Sequence, residues 1–246
     1  MQTASSNREL FRDASGHGVI VFDPARLRQA SPELFAARAY GAHAQPVQGQ
    51  GGRGAAWFVS GAMGEGVLRH YRRGGWMARV SSDSYLWLGE QQVRSFREFA
   101  LLHRLAAAGL PVPAPITAMY RRSGLVYRAA ILVERVSGAH SFAQSVSQLR
   151  GQAPWTIVGA AIASCHRLHA HHADLNSHNV LISAAQKAWL IDWDKGHIEA
   201  GIGHWCERVL DRLQRSLRKE CPDVPESEII VGMKQLREAH EAGLQA

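Results

Sequence analysis

The chain has 246 residues, an apolar fraction of 46% and a formal net charge of +7. That apolar fraction supplies a real core and excludes a disordered chain, and the length suits one large domain or two small lobes. The charge predicts an anionic partner: nucleic acid, a phosphate-bearing small molecule or an anionic membrane face.

Cys165, Cys206 and Cys221 are few, odd in number and scattered. They argue against a disulfide framework and for a reducing compartment. The N-terminal stretch has no basic-then-apolar leader, and no apolar run approaches the ~20 residues of a spanning helix. A cytosolic protein is expected, with peripheral contact to a membrane surface left open.

In chain order, the first half reads as strand and turn. "GVIVFDP" is a short strand; "AAWFVSG" and "GVLRHY" are apolar-rich runs separated by glycines. "RSFREFALLHRLAAAG" has helical spacing, with Phe96, Phe99, Leu102 and Leu105 on one face and Gly109 as a stop. "LPVPAPI" reads as a Pro-rich extended link. "LVYRAAILVERV" reads as strand, or two strands joined by a turn.

The second half is richer in helix. "PWTIVGAAIASCHRLHA" predicts a buried helix with Pro154 in its first turn. "CERVLDRLQRSLRKE" is amphipathic, with Leu210, Leu213 and Leu217 on one stripe and Arg208, Arg212, Arg215 and Lys219 on another. Gly138 marks the join. The expectation is an α+β fold in two lobes: residues 1–137 carry an antiparallel sheet and one helix, and residues 138–246 are mostly helical.

Between these helices lies "HHADLNSHNVLI", dense in polar side chains. "VLIS", "AAQK" and "AWLID" then predict a β-hairpin. Asn179 precedes its first strand and Asp192 follows its second, so an antiparallel hairpin brings them together at its open end, where strands are ~4.8 Å apart. Two oxygen-bearing side chains there suit a hard cation such as Mg²⁺. Asp174, in the same loop, is placed to orient or deprotonate an attacking hydroxyl. Phosphoryl transfer needs little more than alignment, metal and cationic support.

"HADLNSHN" resembles the catalytic loop of protein-kinase-like enzymes, with Ala173 where an Arg is usual. "LIDWD" resembles their metal-binding Asp-Phe-Gly segment, with Trp193 and Asp194 for Phe and Gly. The missing Arg, the short chain after Asp192 and the lack of an Ala-Pro-Glu element suit a small-molecule kinase better than one acting on a protein. "GQGGRGAAWFV" resembles a phosphate-covering glycine loop through Gly49, Gly51, Gly52 and Gly54. Arg69 occupies the place of the phosphate-pairing lysine, Glu98 matches its acidic partner, and Glu134 to Gly138 would form the hinge that meets adenine.

Taken together, "GRGAAWFV", "VLRHYRRGG", "HADLNSHNVLI" and "LIDWDKG" resemble the bacterial 3-deoxy-D-manno-octulosonic acid (Kdo) kinases of the lipopolysaccharide kinase family, from about Gly16 to Lys219. The resemblance implies ATP- and Mg²⁺-dependent phosphorylation of the Kdo 4-hydroxyl on a lipid A precursor. It implies a peripheral place on the cytoplasmic face of the bacterial inner membrane and no nucleic-acid partner. Arg72, Arg73, Arg121, Arg122 and the Arg208 to Lys219 stripe are candidates to face that anionic membrane.

Competing readings remain at this level. A heptose, aminoglycoside or choline-like alcohol kinase shares the same signature. A nucleotide-binding pseudokinase or a basic docking module would not need Asp174, Asn179 and Asp192 together. His166, His169, His171, His172 and His178 include residues at helical spacing that could hold zinc, but packing accounts for most of them. The glycine loop also reads as a plain hairpin turn, and the late Arg stripe as a solvated face.

Overall fold

A computed structural model of the protein describes residues 7–47, 56–72 and 83–246. Its backbone divides into two compact units: Met1–Arg104 with Ala114–Arg135, and Leu105–Pro113 with Val136–Ala246.

The first unit is built on an antiparallel sheet. In chain order its strands are β1 (Asn7–Asp13), β2 (Gly16–Phe22), β3 (Ala44–Pro46), β4 (Ala56–Gly61), β5 (Gly64–His70), β6 (Tyr85–Leu86), β7 (Pro115–Ser123) and β8 (Val126–Glu134). They line up as β1-β2-β7-β8-β5-β4-β3, with β6 also paired to β8. The middle strands are covered on both faces, so they carry continuous apolar runs rather than alternation: Ala129 to Val133 of β8 are all buried. Ile20, Phe22, Leu68, Ile116 and Leu132 form one cluster, closed by Phe35 from the connection after β2.

Helix α1 (Arg94–Ala107) carries the expected apolar stripe through Phe99, Leu102 and Leu105, but Phe96 is only half-buried and the stripe also includes buried Ser95 and Glu98. Ser95 Oγ donates to the Met119 carbonyl at 3.0 Å, which ties the start of α1 to β7. The helix stops where Gly109 takes a φ of 74°, a left-handed conformation suited to a residue without Cβ.

One expectation about this unit needs correction. The Pro-rich link ends at Ala114, because Pro115 already starts β7, which pairs with both β2 and β8. The stretch 126–134 is one strand, the first of the two readings open from sequence, and the turn lies before it, at Gly124 with φ 60°. Proline content disguised a strand whose first residue needs no N–H.

The second unit contains β9 (His140–Ser141), α2 (Phe142–Leu149), α3 (Trp155–Arg167), β10 (Ala170–His171), β11 (Val180–Ile182), β12 (Ala188–Leu190), β13 (His197–Ile198), α4 (Trp205–Glu220) and α5 (Glu226–Gln245). Ser141 caps α2 in a reciprocal capping box with Gln144. Pro154 is the residue just before α3 rather than in its first turn.

Helix α5 was not anticipated from the sequence. It packs closely on α3 at two glycines: a Cβ on Gly159 would lie 2.2 Å from the Leu236 carbonyl oxygen, and one on Gly232 would lie 2.1 Å from the Trp155 ring. The buried His166 Nδ1 meets His240 Nε2 at 2.8 Å across the same seam. A sheet with one helix, followed by a helix-rich unit bearing a hairpin, is the expected α+β arrangement.

Candidate active site

The hairpin forms as the sequence predicts. β11 and β12 are antiparallel with Val180 opposite Leu190. One residue beyond, the Ile191 N–H donates to the Asn179 carbonyl at 2.9 Å, so Asp192 emerges beside Asn179 at the open end. Asp192 has a φ of 65°, uncommon for a residue with a side chain. The next residue, Trp193, is fully buried and its indole N–H donates to the Leu190 carbonyl at 2.9 Å. The turn is thereby held on both sides, and the left-handed residue between them carries a carboxylate.

The loop that carries Asp174 is pinned from within. The Asp174 carbonyl accepts from the side-chain amides of Asn176 at 3.2 Å and Asn179 at 3.1 Å. Asn176 Oδ1 in turn accepts from the N–H groups of His178 and Asn179. His172 Nε2 donates to the Ile191 carbonyl at 2.8 Å, joining the start of the loop to the residue before Asp192. Burial holds the His172 ring below the usual imidazole pKa, so it stays neutral and its Nε2 proton is committed to that bond.

Asn179 and Asp192 thus offer an amide oxygen and a carboxylate at adjacent points. The Asn179 amide donates its Nδ2 toward Asp174, which turns its oxygen the other way. Hard oxygen donors of this kind fit Mg²⁺.

A third layer comes from α4. Residues 212, 216 and 220 stand one helical turn apart and share a face. All three reach the loop. Arg212 pairs with the Asp174 carboxylate. Ser216 Oγ accepts from the Ser177 N–H at 3.0 Å and meets Ser177 Oγ at 2.9 Å. Glu220 meets His178 Nε2 at 3.1 Å, and hydrogen bonds from Lys219 and His178 hold its carboxyl down to about 2. Lys195, in the turn after Trp193, also reaches Asp174, at 3.5 Å. All four cations of the α4 stripe are exposed, as a solvated face would be, and two of them also have acidic partners: Arg212 pairs with Asp174 and Lys219 with Glu220.

In the first unit, Arg69 of β5 pairs with the buried Glu98 of α1 at 2.5 Å. Tyr71, two residues on, also donates to Glu98. Sequence reasoning brought Arg69 and Glu98 together but missed Tyr71, although alternate residues of an extended chain face the same way. Glu134 lies at the end of β8, where its carboxylate meets Arg26 at 3.0 Å and its N–H donates to the Ala114 carbonyl at 2.9 Å. Gly49, Gly51, Gly52 and Gly54 lie outside the described residues, as does Arg73.

The histidines separate into distinct settings. His166 pairs with His240, His172 braces the loop, and His178 meets Glu220. His171 and His197 share Glu199 Oε1, at 2.9 and 3.0 Å, where β10 pairs with β13.

Comparison with known proteins identifies the family. The family model described as lipopolysaccharide kinase (Kdo/WaaP) family matches residues 39–234. The chain belongs to the lipopolysaccharide kinase (Kdo/WaaP) family. It is 46% identical over 231 residues to the 3-deoxy-D-manno-octulosonic acid kinase of Xanthomonas campestris pv. campestris (strain B100), covering 94% of this chain and 92% of that one. It is 50% identical over 208 residues to the enzyme of the same name from Stenotrophomonas maltophilia (strain K279a), covering 85% and 83%. The corresponding Xanthomonas oryzae pv. oryzae (strain PXO99A) protein is 50% identical over 210 residues, covering 85% and 84%. Membership of this kinase family makes the protein an enzyme that phosphorylates a hydroxyl, on a kinase-like α+β fold.

Proposed function

We propose that the protein transfers the γ-phosphoryl group of ATP to the 4-hydroxyl of Kdo on a lipid A precursor, during assembly of the lipopolysaccharide core. One observation supports the reading: a hydrogen-bonded loop joins Asp174 to Asn179, and the hairpin brings the backbone next to Asp192 back to Asn179, in a chain of the Kdo/WaaP family.

In this reading Asp174 orients the acceptor hydroxyl and takes its proton. The hydroxyl oxygen forms a bond to the γ-phosphorus as the bond to the bridging oxygen of ADP breaks. The transition state is loose, so positioning matters more than the basicity of Asp174. Asn179 and Asp192 would hold Mg²⁺, which supplies charge neutralisation for the triphosphate when bound. Arg69, held by Glu98, is assigned to the donor phosphates, with the backbone of Gly51, Gly52 and Gly54; Glu134 is assigned to the segment near the base.

We further place the protein on the cytoplasmic face of the inner membrane as a peripheral enzyme. Among the described residues no helix is long and apolar enough to cross a membrane. Exposed cations such as Arg72, Arg208 and Arg215 support attraction to an anionic surface, each contributing on the order of 1 kcal/mol.

The test is direct. The purified protein is incubated with ATP, Mg²⁺ and a Kdo-bearing lipid A precursor, and the lipid is examined by mass spectrometry. One added phosphate on Kdo is expected. An unmodified Kdo lipid, with phosphate passing instead to heptose or another soluble alcohol, would overturn the substrate assignment.

A further inference from the structure

The loop between Asp174 and Asn179 reads Leu175, Asn176, Ser177 and His178, with no lysine or arginine. Phosphoryl transfer to an anionic acceptor nevertheless needs positive charge beside the attacking oxygen. The described structure supplies it from elsewhere. Arg212 arrives from α4 and Lys195 from the turn after Trp193, and both contact the carboxylate of Asp174.

Both cations stand on fixed backbone. Arg212 lies one helical turn from Ser216, whose hydroxyl is bonded to Ser177, and its helix is anchored by buried Val209, Leu210, Leu213 and Leu217. Lys195 lies between the fully buried Trp193 and β13, in a turn closed by the Gly196 N–H donating to the Trp193 carbonyl at 2.8 Å. Their side chains stay open to solvent, 46% exposed for Arg212 and 62% for Lys195, so a ligand can reach them. Two cations gather on one half-buried carboxylate, more positive charge than pairing it requires.

We propose that Lys195 and Arg212 form a subsite for the carboxylate of the acceptor sugar. This rests on the Kdo reading above and names what recognises that sugar. Kdo is an acid: its carboxylate is borne by the ring carbon C2, separated from the hydroxyl-bearing C4 by a single ring atom. An acceptor whose 4-hydroxyl reaches Asp174 therefore brings its carboxylate within the span of two side chains that already touch Asp174. Without acceptor, Asp174 is their counter-ion. With acceptor, the guanidinium of Arg212 takes the sugar carboxylate in its planar fork, Lys195 adds a point charge, and Asp174 is freed to receive the hydroxyl. A neutral sugar offers nothing to draw the cations away, so the same exchange selects an acidic acceptor.

The experiment compares acceptor kinetics for wild type, Arg212→Gln and Lys195→Gln. Each is assayed with a Kdo acceptor and with its analogue in which the carboxylate is reduced to the alcohol. Loss of a hydrogen bond to a charged group predicts a KM for the Kdo acceptor raised about 10- to 100-fold in each variant, with the KM for ATP unchanged. The reduced analogue is expected to be a poor acceptor for wild type, and neither variant should worsen it further. Arg212→Lys should recover part of the loss. Equal loss by the variants on both acceptors, a loss confined to the KM for ATP, or wild-type use of the reduced analogue with full efficiency would each overturn the subsite. Failure of the wild type to phosphorylate Kdo at all would remove the underlying function and the subsite with it; transfer to Kdo with unaffected variants would remove the subsite alone.

Discussion

The N–H of Ile191 donates to the carbonyl of Asn179, and that single bond sets the side chains of Asn179 and Asp192 at one end of the hairpin. The proposed function assigns this amide oxygen and carboxylate to one Mg²⁺ ion. Asp192→Asn keeps a side chain that tolerates left-handed backbone while removing the charge. The Mg²⁺ concentration giving half-maximal activity should rise by at least about 10- to 100-fold, the cost of disturbing even a residue that only orients a metal ligand. The thermal midpoint should stay near that of the wild type. A magnesium titration of turnover, beside a melting curve, checks both.

Asp174→Ala removes the group assigned to the acceptor hydroxyl. Turnover should fall about 10²- to 10⁴-fold, the usual contribution of proton transfer by a positioned side chain. Nucleotide binding, followed by calorimetry with a non-hydrolysable ATP analogue, should be retained. Unchanged turnover would exclude Asp174 as the catalytic residue.

Glu98 is buried and shared by Arg69 and Tyr71. Removing one partner of a buried ion pair leaves the other charge poorly satisfied, typically at a cost of about 3–5 kcal/mol. Glu98→Leu should approach that range in denaturant unfolding. The double variant Arg69→Met with Glu98→Leu should be less destabilised than Glu98→Leu alone, because no lone cation is left behind. Additive losses would show that the two side chains are not coupled.

Burial gives the protein a defined response to acid. The His166 pKa is pushed down to about 3 by desolvation and by the neighbouring His240, and burial also lowers His172 and His240. In the unfolded chain each titrates near 6.5. The unfolded state therefore binds more protons below that pH, and these groups stabilise the fold fully only above about 6.5. Thermal midpoints should decline as the pH falls from about 6.5 toward 3, and Gln at position 166 should flatten part of that slope. A midpoint that rises on acidification over this range would contradict the burial of neutral rings.

Much of the candidate site's backbone was legible because it is local in sequence. The hairpin needs only two apolar runs and a polar turn, and antiparallel pairing then dictates that Asn179 and Asp192 meet. Arg212 was not legible: it contacts a residue 38 positions away, and its identity as one arginine in a basic stripe gives no hint of which one meets the loop. A signal did exist in Ser216 and Glu220, polar residues four and eight positions after Arg212, but only the folded loop shows what they hold. The sheet was partly hidden for another reason. Proline at the start of β7 reads as a link, whereas a strand's first residue can dispense with its donor. Helix α5 hides its purpose in Gly232, which weakens helical propensity yet allows the close approach of the Trp155 ring.

The backbone at Asp192 also narrows the paths open to mutation. Glycine and asparagine accept a φ of 65° readily but bring no charge, while glutamate brings the charge without that conformational ease. No neighbouring choice in the amino-acid alphabet satisfies both demands. In the role proposed for Asp192, asparagine keeps the backbone and weakens the metal site, and only the direct reversion restores both.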